Sequence, residues 1–107
     1  MQTNTLTESR HELIINIERE QLAVRKAITE GDRSPQILAN LANLNKQHEE
    51  AVFESKNKHV CTINYAIIKL LALEIHNESC SVVIQNKDPK DLKSKIQHLI
   101  TYYQNHV

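Results

Sequence analysis

The sequence predicts an all-α fold, in which an antiparallel helical hairpin packs with a buried third helix and a C-terminal amphipathic helix. The chain has 1 glycine and 2 prolines in 107 residues, which is too few for the turns of a many-stranded β fold. Leu, Ile, Ala, Glu, Lys, Gln and Asn dominate, and most of these residues favour helix. The apolar residues recur at alternating spacings of four and three, as in coiled coils and small bundles. We therefore expect a single domain over residues 1–107, with helices at roughly 5–30, 34–57, 59–78 and 88–106.

The clearest boundary in the chain is the stretch Gly-Asp-Arg-Ser-Pro. Gly31 can supply the left-handed residue that ends a helix, Ser34 offers an N-cap oxygen, and Pro35 fits the first position of the next helix. The first helix is expected to begin at a capping box formed by Thr5 and Glu8. Two helices joined by so short a turn should lie side by side and antiparallel.

Both helices of this hairpin carry an apolar stripe with one polar member. The stripes are Ile14, Ile17, Gln21, Val24 and Ile28 in the first helix, and Ile37, Leu41, Leu44, His48 and Ala51 in the second. We interpret Gln21 as an edge residue that contacts water, although a polar residue inside a seam can also fix register or partner number. His48 is expected to be a hydrogen-bonded core or edge residue rather than a ligand or a switch. The charged residues of the first helix, including Glu18 and Arg25, are expected on a solvated surface.

The third helix, rich in apolar residues from 60 to 75, is hydrophobic most of the way round. One hairpin and one further helix would hardly cover such a surface, so we predict that part of it meets a second chain. The predicted partner or dimer interface comprises Ile63, Ile67, Leu70, Leu71, Ile14, Ile17, Gln21 and Val24. Between the second and third helices we favour a break or kink near Asn57, because a continuous rod of roughly 65 Å would leave much apolar surface uncovered.

Residues 79–85 are ambiguous because Ser-Cys-Ser-Val-Val-Ile-Gln is enriched in β-branched residues. They fit one short strand near 80–85 that would pair with the same segment of a second copy. We favour instead an extended linker or the end of the preceding helix. Asp88 and Pro89 then repeat the N-cap and proline signature and open the last helix.

The residues that carry chemistry do not form a recognisable site. His59, Cys61, His76 and Cys80 are the one metal-like set, but on one straight helix Cys61 and His76 would lie about 22 Å apart. We therefore predict no metal, and we read both cysteines as reduced. A chain with 1 glycine has no glycine-rich loop for phosphate, and neither cysteine has the context of a nucleophile. We expect no catalytic residue, no cofactor and no small-molecule substrate.

These observations predict a non-enzymatic protein–protein interaction module in the cytoplasm, since we find neither a signal peptide nor a membrane-spanning run. The expected form is a homodimeric small regulator, inhibitor or chaperone that binds a protein partner through apolar helix faces. The alternative is a small DNA-binding regulator that uses a helix-turn-helix-like segment near 22–44 or the lysine group near 87–95. Thirteen basic and thirteen acidic residues balance each other, so nucleic acid is an unlikely partner on electrostatic grounds.

Overall fold

A computed structural model describes residues 2–55 and 62–106, with the side chains described at 12–52 and 66–105. The described chain consists of four α-helices: α1 (Gln2–Thr29), α2 (Pro35–Ser55), α3 (Thr62–Gln85) and α4 (Lys90–His106). This arrangement confirms the predicted all-α fold. None of the described helices has the length and apolarity needed to cross a bilayer.

The four helices run alternately up and down. The hydrogen bond from His48 to Glu18, and the position of Ile28 and Ile37 in one core cluster, place α1 and α2 antiparallel. An ion pair between Lys69 and Glu49, of 2.8 Å, lies on the antiparallel contact of α2 and α3. Because α2 and α3 pack side by side, they do not form one continuous rod. The break predicted near Asn57 itself lies outside the described residues.

α4 returns mainly along α3 and completes the bundle. It contacts both α1 and α3, and its apolar stripe faces the main core. The buried residues of the main core are Ile28, Ile37, Leu41, Leu71, Ile75, Val82, Leu92, Ile96 and Leu99. A smaller cluster toward the other end of the bundle contains Ile17, Leu44 and Ala51, with Ile14 and Val24 packed against it.

The first turn has the geometry that its glycine predicts. Gly31 has a φ of 120°, and the N–H of Asp32 donates to the carbonyl of Ala27 at 3.0 Å. The Gly31 N–H donates to the Ile28 carbonyl at 3.3 Å, so the two bonds form a Schellman motif. These bonds satisfy carbonyls at the end of α1 that have no partner within the helix.

Ser34 stands just before α2, as predicted, but its hydroxyl does not cap that helix. The hydroxyl donates to the Asp32 carboxylate at 2.8 Å, and the Ser34 N–H donates to the same oxygen at 2.9 Å. These two hydrogen bonds lower the pKa of Asp32. The Asp32 side chain therefore stabilises this turn, because it accepts two hydrogen bonds from Ser34, two residues later in the chain.

The start of α1 and the end of α3 differ from the sequence-based expectations. Helix α1 begins at Gln2, so Thr5 lies inside the helix and the predicted capping box is wrong. Residues 79–85 are the last turns of α3, so the short strand near 80–85 is wrong and the favoured alternative, the end of the preceding helix, is confirmed. Val82 is fully buried in the main core, and that burial outweighs the local β preference of its neighbours. The Ser79 hydroxyl bonds the Ile75 carbonyl at 2.7 Å within the helix.

The turn between α3 and α4 has features of the turn between α1 and α2, but different residues supply them. Asn86 has a φ of 54° and takes the left-handed position after α3. The Asp88 carboxylate accepts the Lys90 N–H at 2.9 Å, which confirms the N-cap predicted for α4.

Replacing Gly31 with alanine should lower the free energy of unfolding by about 1–2 kcal/mol, because an L-residue is strained at this positive φ. An added Cβ would meet nothing within 4 Å, so the expected loss comes from the backbone alone. Asn86→Gly is the matched control and should change stability by less than about 0.5 kcal/mol, since asparagine already tolerates this conformation. Urea denaturation measures both variants. An unchanged stability in Gly31→Ala would contradict the role assigned to this turn.

Candidate functional site

The side of α3 that points away from the bundle carries an uncovered apolar row. We call this surface the outer face of α3, and it comprises Ala66, Leu70, Leu73, Asn77, Cys80 and Ile84. These residues follow spacings of four and three and lie on the side of the helix opposite Ile68, Ile75 and Val82, which are buried. Leu70 is 55% exposed, Leu73 54% and Ile84 73%. Apolar residues therefore occupy both the buried side and the exposed side of α3, which is why its sequence is apolar most of the way round the helix.

Some of the residues that the sequence assigned to an interface are exposed in the structure, and others are buried. Ile67 and Leu70 are exposed and lie on or beside the outer face of α3. Leu71 is buried in the main core, where it contacts the chain's own helices. The side chain of Ile63 lies outside the described residues.

The interface residues predicted on α1 all face the inside of the bundle. Ile17 and Gln21 are buried, and Ile14 and Val24 are partly buried against the smaller cluster. Leu73 and Ile84 are exposed but were not in the predicted set. Ile84 belonged to the segment with an ambiguous sequence pattern, and a spacing of seven residues from Leu70 through Asn77 is the signal that identifies it.

A buried polar cluster joins α1, α2 and α4. His48 Nε2 lies 2.9 Å from a carboxylate oxygen of Glu18, and Gln21 Nε2 donates to Asn45 Oδ1 at 2.8 Å. A guanidinium nitrogen of Arg25 lies 3.4 Å from the same Asn45 oxygen. These bonds tie α1 to α2 through polar contacts inside an otherwise apolar contact surface.

Two expectations for α1 are corrected by this cluster. Gln21 was interpreted as an edge residue in contact with water, but it is only 2% exposed because Asn45 of α2 lies opposite and accepts its amide hydrogen. Arg25 was placed on a solvated surface, but it is 3% exposed between α1, α2 and α4. His48 is buried and hydrogen-bonded, as expected.

Burial shifts the titration of two members of this region. Desolvation lowers the pKa of Arg25, and the negative charge of Glu18 opposes this shift. Desolvation also raises the pKa of Tyr103, and the negative charge of Glu18 adds to this effect. Tyr103 therefore stays a neutral phenol at all ordinary pH values.

A shallow cleft of about 310 Å³ lies between α2 and α3, at the small end of the range for ligand pockets. Gln21, Asn45 and His48 reach its lining, but these side chains already hydrogen-bond within the polar cluster. The lining also contains Lys46, His76 and the ion pair of Lys69 with Glu49, and His76 Nδ1 is buried without a hydrogen-bond partner among the described residues.

The metal-like residues of the sequence are only partly described. His59 and Cys61 lie outside the described residues. His76 Nε2 and Cys80 Sγ approach each other at 3.7 Å, one turn apart on α3. Among the side chains that the structure describes, at 12–52 and 66–105, no three His, Cys, Asp or Glu residues are arranged to hold a metal ion.

The segments considered for DNA binding have other roles in the fold. Residues 22–44 belong to an antiparallel hairpin whose helices pack along each other, whereas helix-turn-helix motifs cross at a large angle. In the lysine group, Lys87 pairs with Glu78 at 2.7 Å and with Asp91 at 3.5 Å. The bond to Glu78 is the main reason why the pKa of Lys87 is raised. This lysine is therefore partly neutralised by the chain's own carboxylates.

Comparisons of this chain with protein families, with curated proteins and with solved structures found no match. Two features of the described residues bear on function, namely the outer face of α3 and the buried polar cluster. The polar cluster lies mostly inside the bundle and reaches solvent only at the cleft between α2 and α3, whereas the outer face of α3 is exposed along its length.

Proposed function

We propose that this chain is a non-enzymatic protein–protein interaction module of the cytoplasm, which binds another protein chain through the outer face of α3. The observation that carries the proposal is the row formed by Leu70, Leu73 and Ile84, each more than half exposed. The role fits a small regulator, inhibitor or chaperone, whose activity is the binding itself.

The arrangement of these side chains supports a binding surface more strongly than their number does. Single exposed apolar residues are common on monomeric proteins and need no explanation. Here they follow one line along a helix, and the line from Leu70 to Ile84 is about 21 Å long at a rise of 1.5 Å per residue. An apolar line of this kind matches the face that one amphipathic helix presents to another.

Burial of this row supplies a favourable free energy for binding. Removing a large aliphatic side chain fully from water contributes about 1.5–3 kcal/mol, so a half-exposed leucine contributes about half of that when it is covered. Neither the main core nor the smaller cluster loses a contact when a partner binds here, because both lie on the opposite side of α3. The bundle can therefore bind as a rigid body.

The proposal can be tested by replacing Leu73 with a photo-crosslinking amino acid and irradiating the cells in which the chain is expressed. We expect a discrete crosslinked band, which mass spectrometry identifies as a second copy or as another protein. The same amino acid at Asn43, an exposed position on α2, is the control and should give no such band. Absence of any crosslinked protein at Leu73 would contradict the proposal.

A matched pair of charge substitutions checks that the band depends on the apolar row. Leu70→Glu should abolish the crosslink from position 73, because a carboxylate would be desolvated on binding. Leu13→Glu should leave it unchanged, since Leu13 is 51% exposed on α1, away from this face, against 55% for Leu70. Leu71 is unsuited to this test, because a charge in the main core would unfold the bundle.

A further inference from the structure

We propose that the occupant of the outer face of α3 is a second copy of this chain, bound as a parallel, in-register coiled coil of two α3 helices. This inference rests on the proposed function and specifies its partner. Three observations carry it: the heptad spacing of the face, the asparagine at its centre, and the charges on its flanks.

The outer face of α3 has the spacing of a coiled-coil seam. Leu70, Asn77 and Ile84 recur at intervals of seven and take the a positions of the heptad. Ala66, Leu73 and Cys80 alternate with them and take the d positions. Such a seam is self-complementary, because a two-fold axis along the helix brings each position against its own copy.

Asn77 selects the parallel, in-register arrangement. In a parallel pair, an a residue faces the same a residue of the partner, so the two amides hydrogen-bond each other across the axis. In an antiparallel pair, an a residue faces a d residue, which sets the amide of Asn77 against the partner's Leu73. That arrangement would bury an amide without a hydrogen bond, at a cost that the parallel arrangement avoids.

The flanking charges select the same arrangement. Lys69 occupies a g position and Glu74 an e position, and both side chains are exposed. In a parallel pair, a g residue lies beside the e residue of the next heptad of the partner, so Lys69 meets the partner's Glu74 on both sides of the axis. In the antiparallel pair that sets Asn77 against the partner's Leu73, two copies of Glu74 approach each other, and like charges repel.

Lys69 already has a partner within the chain. Its ammonium group bonds Glu49 at 2.8 Å, where the side chains are 59% and 50% exposed. An ion pair this exposed contributes little stability, so a contact with the partner's Glu74 can replace it or add to it. The seam from Ala66 to Ile84 is shorter than three heptads, and we therefore expect a dimer that dissociates on dilution.

Disulfide trapping in the full-length chain, after Cys61→Ser and Cys80→Ser, tests both the partner and its direction. Under mild oxidation, Ile84→Cys alone should form a disulfide dimer, because the a positions of a parallel pair approach closely enough for a disulfide. Crosslinks formed only when Ala66→Cys is mixed with Ile84→Cys would show an antiparallel pair and overturn the inference. A monomer at all concentrations in sedimentation velocity would overturn it as well.

Charge reversal gives a second measurement that does not depend on cysteine chemistry. Lys69→Glu should weaken self-association about tenfold in sedimentation equilibrium, and Lys69→Glu combined with Glu74→Lys should restore it. Failure of the double variant to restore association would contradict the parallel pairing. If the photo-crosslink at Leu73 captures only a different protein, the proposed function stands and this inference fails.

Discussion

Replacing Leu41 with alanine should lower the free energy of unfolding by about 3 kcal/mol, within the range of 2–5 kcal/mol for a buried leucine. Leu41 is fully buried in the main core, on the face of α2 that meets the other helices. The substitution removes apolar surface that folding hides from water and leaves a cavity that a rigid bundle fills only partly. A loss of this size is a large fraction of the total stability of a small domain.

Leu13→Ala is the control for this prediction, because it makes the same chemical change at a side chain that is 51% exposed. It should cost less than about 1 kcal/mol, since little buried surface is lost. Urea denaturation at one fixed protein concentration compares the two variants, because the self-association proposed above would make stability depend on concentration. Equal losses at the two positions would contradict the assignment of Leu41 to the core.

The end of α1 and the start of α4 were predictable because single residues determine them. Gly31 ends α1 at a positive φ, and Asp88 caps the start of α4, as the sequence indicated. The end of α3 was harder to predict from the sequence, because the β-branched residues near 82 locally favour a strand although they pack as part of a helix. Val82 lies in the main core of a helical bundle, and no local pattern contains that information.

The candidate site was predictable in kind but not in detail. The sequence shows that α3 is apolar most of the way round, and this alone predicts that one of its faces lacks a cover within a small bundle. Which residues form that face depends on the rotation of α3 about its own axis, which the packing of all four helices sets. Leu70 and Leu71 are neighbours of the same residue type, yet one is 55% exposed and the other 9%.

Arg25→Met should raise the free energy of unfolding by about 1 kcal/mol, although it removes a residue that is almost fully buried. Arg25 is 3% exposed, and its one hydrogen bond within the described part of the chain, to Asn45, is long at 3.4 Å. Its Nε atom is buried and has no hydrogen-bond partner among the described residues. Desolvation lowers its pKa despite the attraction of the Glu18 carboxylate, so the folded state holds this charge at a cost.

Methionine suits this position because its flexible, unbranched side chain can fill the space left by the stem of the arginine. Asn45 keeps its shorter hydrogen bond to Gln21, at 2.8 Å, and Glu18 keeps its contact with His48. Arg19→Met, at an exposed position on the same helix, is the control and should change stability by less than about 0.5 kcal/mol. Urea denaturation distinguishes the two outcomes for Arg25. If Arg25→Met instead lowers the free energy of unfolding by about 1 kcal/mol or more, the prediction is wrong. That result would mean that the attraction between Arg25 and Glu18 outweighs the cost of desolvation, so that the buried charge stabilises the bundle.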